Sequence, residues 1–291
     1  MRPAFAQTMP MRPADTNTKP TFAVPPDSCD THFHVFERGY PHVPDPLYTF
    51  PDATLDQYRR VLDWLGVDRA VLVQPTYYAT DNRLLLDVLR TDPDRFRGVV
   101  QVEDDVTDEA LDGYHKAGVR AIRLDLFARA EQPLPEIVKH IESVAARTRP
   151  LGWHLQFYSP GPVVRALLPF LADFEDTFVI DHMGYMKESD GLTRSDFDRL
   201  LSVVDGGHGY VKLSGPYRVA GDKPLSSVGP LGRALVSNRP DRVLWGSDWP
   251  HLPNGQRDTG ELLNLVAEWA PDEEDRQLIM VDNPARLFFA N

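Results

Sequence analysis

Short apolar runs alternate with longer segments of helical period along most of the chain, the pattern that a parallel sheet with covering helices requires. Eight runs read as strands, over residues 29–34, 69–74, 98–103, 119–125, 153–158, 178–182, 210–214 and 243–248. Most are β-branched without strict alternation, as expected of strands covered on both faces. Between them, Thr54 is placed to N-cap a helix that sets Leu55, Tyr58, Leu62 and Leu65 on one face and stops at Gly66. Thr107 opens another, with Asp108 and Glu109 near its positive end and Gly118 at its stop. Residues 167–170, 197–201 and 262–269 supply later apolar faces, and Asn283-Pro284 introduces a last short helix over 285–289. Eight successive strand–helix units predict an α/β fold closed as a (β/α)₈ TIM barrel, with an open eight-stranded sheet as the alternative.

The barrel is expected over residues 27–291 as a single domain, since 291 residues suit one such barrel. Residues 1–26 carry Pro3, Pro10, Pro13, Pro20, Pro25 and Pro26 and read as a tail that lies over the barrel or hangs free of it, without a catalytic role. The net charge of -12 argues against nonspecific nucleic-acid binding and against adhesion to anionic membranes. No apolar run approaches the roughly 20 residues of a membrane span, and the N-terminus lacks the apolar stretch of a secretory signal. Cys29 is the only cysteine, which excludes an intramolecular disulfide and a cysteine-built zinc site. A reducing, cytoplasmic setting is therefore expected. A homo-oligomer is compatible with this composition, though no sequence feature demands one.

The polar residues at the C-terminal ends of barrel strands converge on one mouth, where such barrels do their chemistry. The first strand ends in Asp30-Thr31-His32-Phe33-His34, whose two histidines point to the same side. A later strand ends in Ile180-Asp181-His182, and the eighth in Trp245-Gly246-Ser247-Asp248. His32, His34 and His182 can either hold one divalent metal ion or donate hydrogen bonds to a carbonyl. Asp248 is suited to act as a base. Arg123, Arg129 and Arg218 are forks for carboxylates, which an acidic protein needs if its substrate is anionic. Tyr48 and Tyr158 stand beside strand ends and are expected against substrate, whereas His154, His251 and Cys29 read as packing or supporting residues.

The His-x-His of the first strand, His182 and Asp248, in that order, resemble the amidohydrolase superfamily over residues 27–290. A finer resemblance, to the 2-pyrone-4,6-dicarboxylate lactonase branch, rests on Gln74, Thr76, Thr80-Asp81-Asn82, Arg123, Arg129, Tyr158 and Ser214-Gly215-Pro216-Tyr217-Arg218. Thr76 stands where that branch suggests a serine, and Tyr77-Tyr78 are bulkier than expected. The resemblance implies a hydrolase of aromatic catabolism that opens a small anionic lactone. In it Asp248 would be the base, His32, His34 and His182 would polarise the carbonyl, and Arg123, Arg129, Arg218, Tyr48, Thr76 and Tyr158 would bind substrate. A binuclear centre lacks its bridging Lys or Glu on the fourth strand and its further histidine. The branch's arginine set goes with metal-free catalysis, and one divalent ion, zinc, on His32, His34, His182 and Asp248 is the alternative. The competing enzymatic readings are a metal-dependent sugar-acid or muconolactone hydrolase or isomerase, and a metal-dependent decarboxylase. A binding module without catalysis fits the His/His/His/Asp set poorly.

Overall fold

The computed structural model describes residues 8–290. Eight parallel strands stand side by side in chain order: β1 (Cys29–Phe33), β2 (Arg69–Val73), β3 (Phe96–Val100), β4 (Val119–Asp125), β5 (His154–Tyr158), β6 (Phe178–Ile180), β7 (Gly209–Leu213) and β8 (Val243–Trp245). The ring closes just beyond β8, where the His34 amide donates to the Trp249 carbonyl and the Asp248 amide to that of His32, both at 2.8 Å. Asp30 pins the same seam. Its Oδ1 accepts from the His32 and Ser247 amides at 3.0 and 2.8 Å, and its Oδ2 from the Tyr58 hydroxyl at 2.7 Å. The expected (β/α)₈ barrel is the observed one.

The helices on the outside are α1 (Leu55–Leu65), α2 (Arg83–Thr91), α3 (Asp108–Lys116), α4 (Leu134–Thr148), α5 (Gly161–Ala172), α6 (Arg194–Asp205), α7 (Pro216–Ala220), α8 (Gly229–Asn238), α9 (Thr259–Trp269) and α10 (Glu273–Gln277). Helix α1 has the expected ends, a capping box between Thr54 and Gln57 and a left-handed Gly66. The last segment, Ala285–Phe289, winds as a π-helix and carries Phe288 into the barrel interior, against Cys29, Val71 and Leu244. Apolar packing thus fills the end of the barrel where the strands begin and leaves polar residues for the mouth.

Strands β6 and β8 stop two and three residues short of their expected ends. Residues 181–182 and 246–248 leave the ladder because His182 and Asp248 adopt left-handed backbone, with φ of 52° and 60°, which no extended strand tolerates. The third strand runs earlier than expected at both ends, from Phe96, whose ring is buried in the core, to Val100.

Residues 1–7 of the expected tail lie outside the described residues. From residue 8 the chain is docked. Met9 exchanges backbone hydrogen bonds of 3.0 Å with Phe50 and Asp52. The Thr18 amide and hydroxyl donate to Asp258, the N-cap of α9, at 3.0 and 2.9 Å. A Cβ on Gly260 would fall 1.8 Å from the Thr18 carbonyl oxygen, so glycine is required where the tail crosses α9. No helix among the described residues is long and apolar enough to cross a membrane.

Candidate active site

Four side chains from three strand ends meet at the barrel mouth. Asp248 Oδ1 lies 3.9 Å from His32 Nε2, 3.8 Å from His34 Nε2 and 3.9 Å from His182 Nε2. His34 is held by Nδ1, which donates to the Val73 carbonyl at 2.7 Å, and His182 Nδ1 meets Ser214 Oγ at 2.9 Å. Their other ring nitrogens are thereby turned to a common point. Burial pushes His34 down to about 3 and His182 to about 4, and it lowers His32 well below the usual range, so all three rings are neutral near pH 7.

The two oxygens of Asp248 differ. Oδ2 accepts from Arg218 Nε at 2.6 Å and from the Tyr217 hydroxyl, whereas Oδ1 is buried without a hydrogen bond. Burial, the largest single influence, would raise this carboxyl, but the opposing influences, led by the Arg218 guanidinium, together outweigh it and hold Asp248 ionised, well below the ordinary carboxylate range. Gly215 makes the contact possible. It takes a left-handed φ of 52°, and a Cβ there would lie 2.9 Å from His182 Nδ1 and 3.1 Å from Asp248 Oδ2.

His34, His182 and Asp248 open on a cavity of about 230 Å³ whose lining also includes Tyr48, Thr76, Arg123, Tyr158 and Arg218, with His32 buried beneath. Arg123 does not pair with Asp125. Its Nη1 donates to the Gln74 carbonyl at 3.1 Å, its guanidinium lies 4.1 Å from the centre of the Tyr158 ring, and its buried Nε makes no hydrogen bond, with Asp181 Oδ2 3.9 Å away. Asp125 is engaged elsewhere, by the Thr76 hydroxyl at 2.9 Å and by the amides of Phe127 and Ala128.

Arg129 is the expected residue that does not join them. The turn that Asp125 organises carries it to the outer side of β4, where its Nη2 lies 3.5 Å from Asp104 Oδ1. There it lines a separate pocket of about 180 Å³ with His140 and Arg147. Gln74 and Asn82 also serve the scaffold, since their amides bind carbonyls of the loop after β2 and of Gln101. His251 supports the β8 loop through Thr259 Oγ1 at 2.9 Å, and His154 packs edge-on against Phe288.

Sequence reasoning missed the layer beneath the histidines. Lys212, fully buried on β7, sits among His32, Asp181 and Gln156. Burial pushes its ammonium down to about 8, against the pull of Asp181, so it is charged at neutral pH. The signal was available as a lysine inside the apolar run Tyr210-Val211-Lys212-Leu213, since a buried lysine needs partners. Tyr185 was missed as well, and its ring lies 5.4 Å from that of His182.

The donor set can be tested against one metal ion. Three imidazole Nε2 atoms and one carboxylate oxygen suit zinc chemically, and tetrahedral bonds of about 2.0–2.2 Å would space them by roughly 3.3–3.5 Å. The observed spacings to Asp248 Oδ1 are a few tenths wider. By donor type and spacing His32, His34 and Asp248 form a group that fits a single ion, with His182 Nε2 beside it at 3.9 Å from Asp248 Oδ1. The neighbouring group of His32, Asp181 and His182 does not fit a second one, because the Lys212 ammonium lies 3.5 Å from Asp181 Oδ1.

The amidohydrolase family profile matches residues 29–290, and the chain belongs to the amidohydrolase family. Among its relatives, a 4-sulfomuconolactone hydrolase of Hydrogenophaga intermedia is 34% identical over 279 residues, which is 92% of this chain and 90% of that one. A 2-pyrone-4,6-dicarboxylate hydrolase of Comamonas testosteroni is 34% identical over 286 residues, 94% of this chain and 93% of that one. The crystal structure of a probable 2-pyrone-4,6-dicarboxylic acid hydrolase from Acinetobacter baumannii, with citric acid bound, matches with a TM-score of 0.80 at 25% identity. It covers 91% of this chain and 100% of that one.

Proposed function

We propose that this protein is a lactonase that opens a small, carboxylate-bearing lactone by attack of water. The observation that carries the reading is the unengaged Oδ1 of an ionised Asp248, set among three neutral histidines beside Arg123 and Arg218. The 34%-identical relatives are hydrolases of anionic lactones, and the A. baumannii relative was crystallised with a tricarboxylate, which supports the same substrate class.

In this reading Arg123 and Arg218 hold the substrate's carboxylate groups, with Tyr48, Thr76 and Tyr158 fitting the ring. Arg129 would take part only by leaving Asp104. A water that donates one hydrogen to Asp248 Oδ1 and the other to His34 Nε2 keeps a lone pair for the carbonyl carbon. Asp248 takes the water proton as the new C–O bond forms. Histidine N–H groups meet the negative charge that grows on the carbonyl oxygen. When the ring C–O bond breaks, Asp248 returns the proton to the leaving oxygen. One divalent ion, held by His32, His34, His182 and Asp248, would supply Lewis-acid polarisation of the same carbonyl.

Replacing Asp248 by Asn keeps the shape and removes the base, so turnover should fall by roughly 10²–10⁴. The assay is a panel of lactones with two, one and no carboxylates. Near-normal rates in the Asn variant, or equal rates on neutral and dicarboxylated rings, would overturn the reading. Because opening releases a proton, the equilibrium should also move toward the open acid about tenfold per pH unit.

A further inference from the structure

The neutral ring of His32 has one proton, and the network around it decides which nitrogen carries that proton. An ammonium has three N–H groups, and Lys212 meets three acceptors: the Thr31 carbonyl at 2.8 Å, Gln156 Oε1 at 2.9 Å and His32 Nδ1 at 3.3 Å. Asp181 competes for the same corner. Its Oδ1 is also 3.3 Å from His32 Nδ1 and 3.5 Å from the Lys212 ammonium, yet it makes a hydrogen bond to neither. Asp181 Oδ2 instead accepts from Gln156 Nε2 at 3.1 Å. His32 Nε2, on the side of the ring facing Asp248, is buried and unpartnered.

We propose that Lys212 is a positioning residue that donates to His32 Nδ1 and so places the ring proton on Nε2, aimed at the substrate's carbonyl oxygen. The identity of that oxygen rests on the lactone reading; the position of the proton does not. His34 has the opposite polarity, because the Val73 carbonyl can only accept and therefore keeps the His34 proton on Nδ1. Adjacent rings thus present one donor and one acceptor to the same point. The consequence reaches the metal question. A protonated Nε2 has no lone pair to give, and a buried ammonium one ring away repels a divalent cation. Lys212 makes His32 a hydrogen-bond donor at the expense of its capacity to ligate.

The test is ¹⁵N spectroscopy of histidine-labelled protein, with the His32 signals assigned by their loss in a His32→Gln variant. Wild type should show His32 protonated on Nε2 and His34 on Nδ1. In Lys212→Met the His32 proton should move to Nδ1, toward Asp181. Zinc affinity measured by calorimetry should then rise at least about tenfold, the scale on which outer partners of a ligating histidine act. With a lactone that the wild type hydrolyses, kcat should fall roughly 10²-fold with KM little changed, as for loss of one donor to a developing oxyanion. A wild-type His32 protonated on Nδ1 would overturn the proposal, as would a folded Lys212→Met protein with unchanged tautomer and zinc affinity. Should that variant fail to fold, the wild-type spectrum decides alone. The spectra and zinc titrations involve no lactone, so they stand apart from any failure of the lactone reading.

Discussion

Asp248 divides its work between two oxygens, and the partner of one sets the basicity of the other. Arg218 Nε on Oδ2 lowers the pKa of the whole carboxyl, so a substrate carboxylate that draws the guanidinium away would make Asp248 a stronger base when substrate arrives. Replacing Arg218 by Met should cost about 1.5–3 kcal/mol of transition-state stabilisation on a dicarboxylated lactone, the worth of a charged hydrogen bond. The loss should shrink on a lactone with one carboxylate fewer. The same variant should move the acidic limb of the kcat/KM profile to higher pH, because removing the cation raises the pKa of Asp248. An unmoved limb would show that Arg218 does not tune the base.

At the scale of the element, the segment after β8 carries the base Asp248 and departs from regular structure, with positive φ at Asp248 and His251. Gly246 passes so close to β1 that a Cβ would sit 2.6 Å from the His32 Cβ, with the His32 backbone close behind. That close approach lets Asp248 reach the histidines from the neighbouring strand end. Gly246→Ala should therefore push β8 away from β1, costing about 1–3 kcal/mol of stability and most of the activity. Denaturant unfolding and turnover on the same sample would check it, and a fully active variant of unchanged stability would refute the close-approach account. Left-handed backbone at His182 and Asp248 belongs to the same logic, since each bend turns its side chain out of the ladder and over the mouth.

Across the whole molecule, an acidic chain gathers cations at its mouth. The net charge is -12, yet near the histidines Lys212, Arg123 and Arg218 meet Asp181 and Asp248, with Asp30 buried beside them. Burial also makes the interior sensitive to acid. His154 is pushed down to about 3 and His251 to about 4, first by desolvation, and each has a ring nitrogen without a partner. In the unfolded chain both titrate near 6.5. Below that pH the unfolded state takes up protons that the folded state refuses, so stability falls as pH drops from about 6.5 toward 4. The loss approaches 1.4 kcal/mol per pH unit for each such histidine, at order-of-magnitude precision, and it is absent above pH 7. Denaturant titrations at pH 7.0 and 5.0 should show the drop, and His154→Phe should reduce its slope by about one histidine. A pH-independent midpoint in the wild type would contradict the buried, neutral state of these rings.

Elements defined by local pattern were legible in the chain: the ends of α1 at Thr54 and Gly66, the span of β4 and the order of eight strands. Periodicity and capping act within a dozen residues, so a linear sequence contains them. The meeting of His32, His34, His182 and Asp248 was legible for a related reason, because a parallel barrel sends the C-terminal end of every strand to one face. Pairing across that face was not. Whether Arg129 joins the mouth depended on how Asp125 bends the following turn toward Asp104. The ammonium that meets His32 comes from 180 positions away, on a strand that closure of the barrel brings beneath it. Such contacts are set by where whole strands pack and by which buried charge finds a partner, quantities that exist only once the ring is closed.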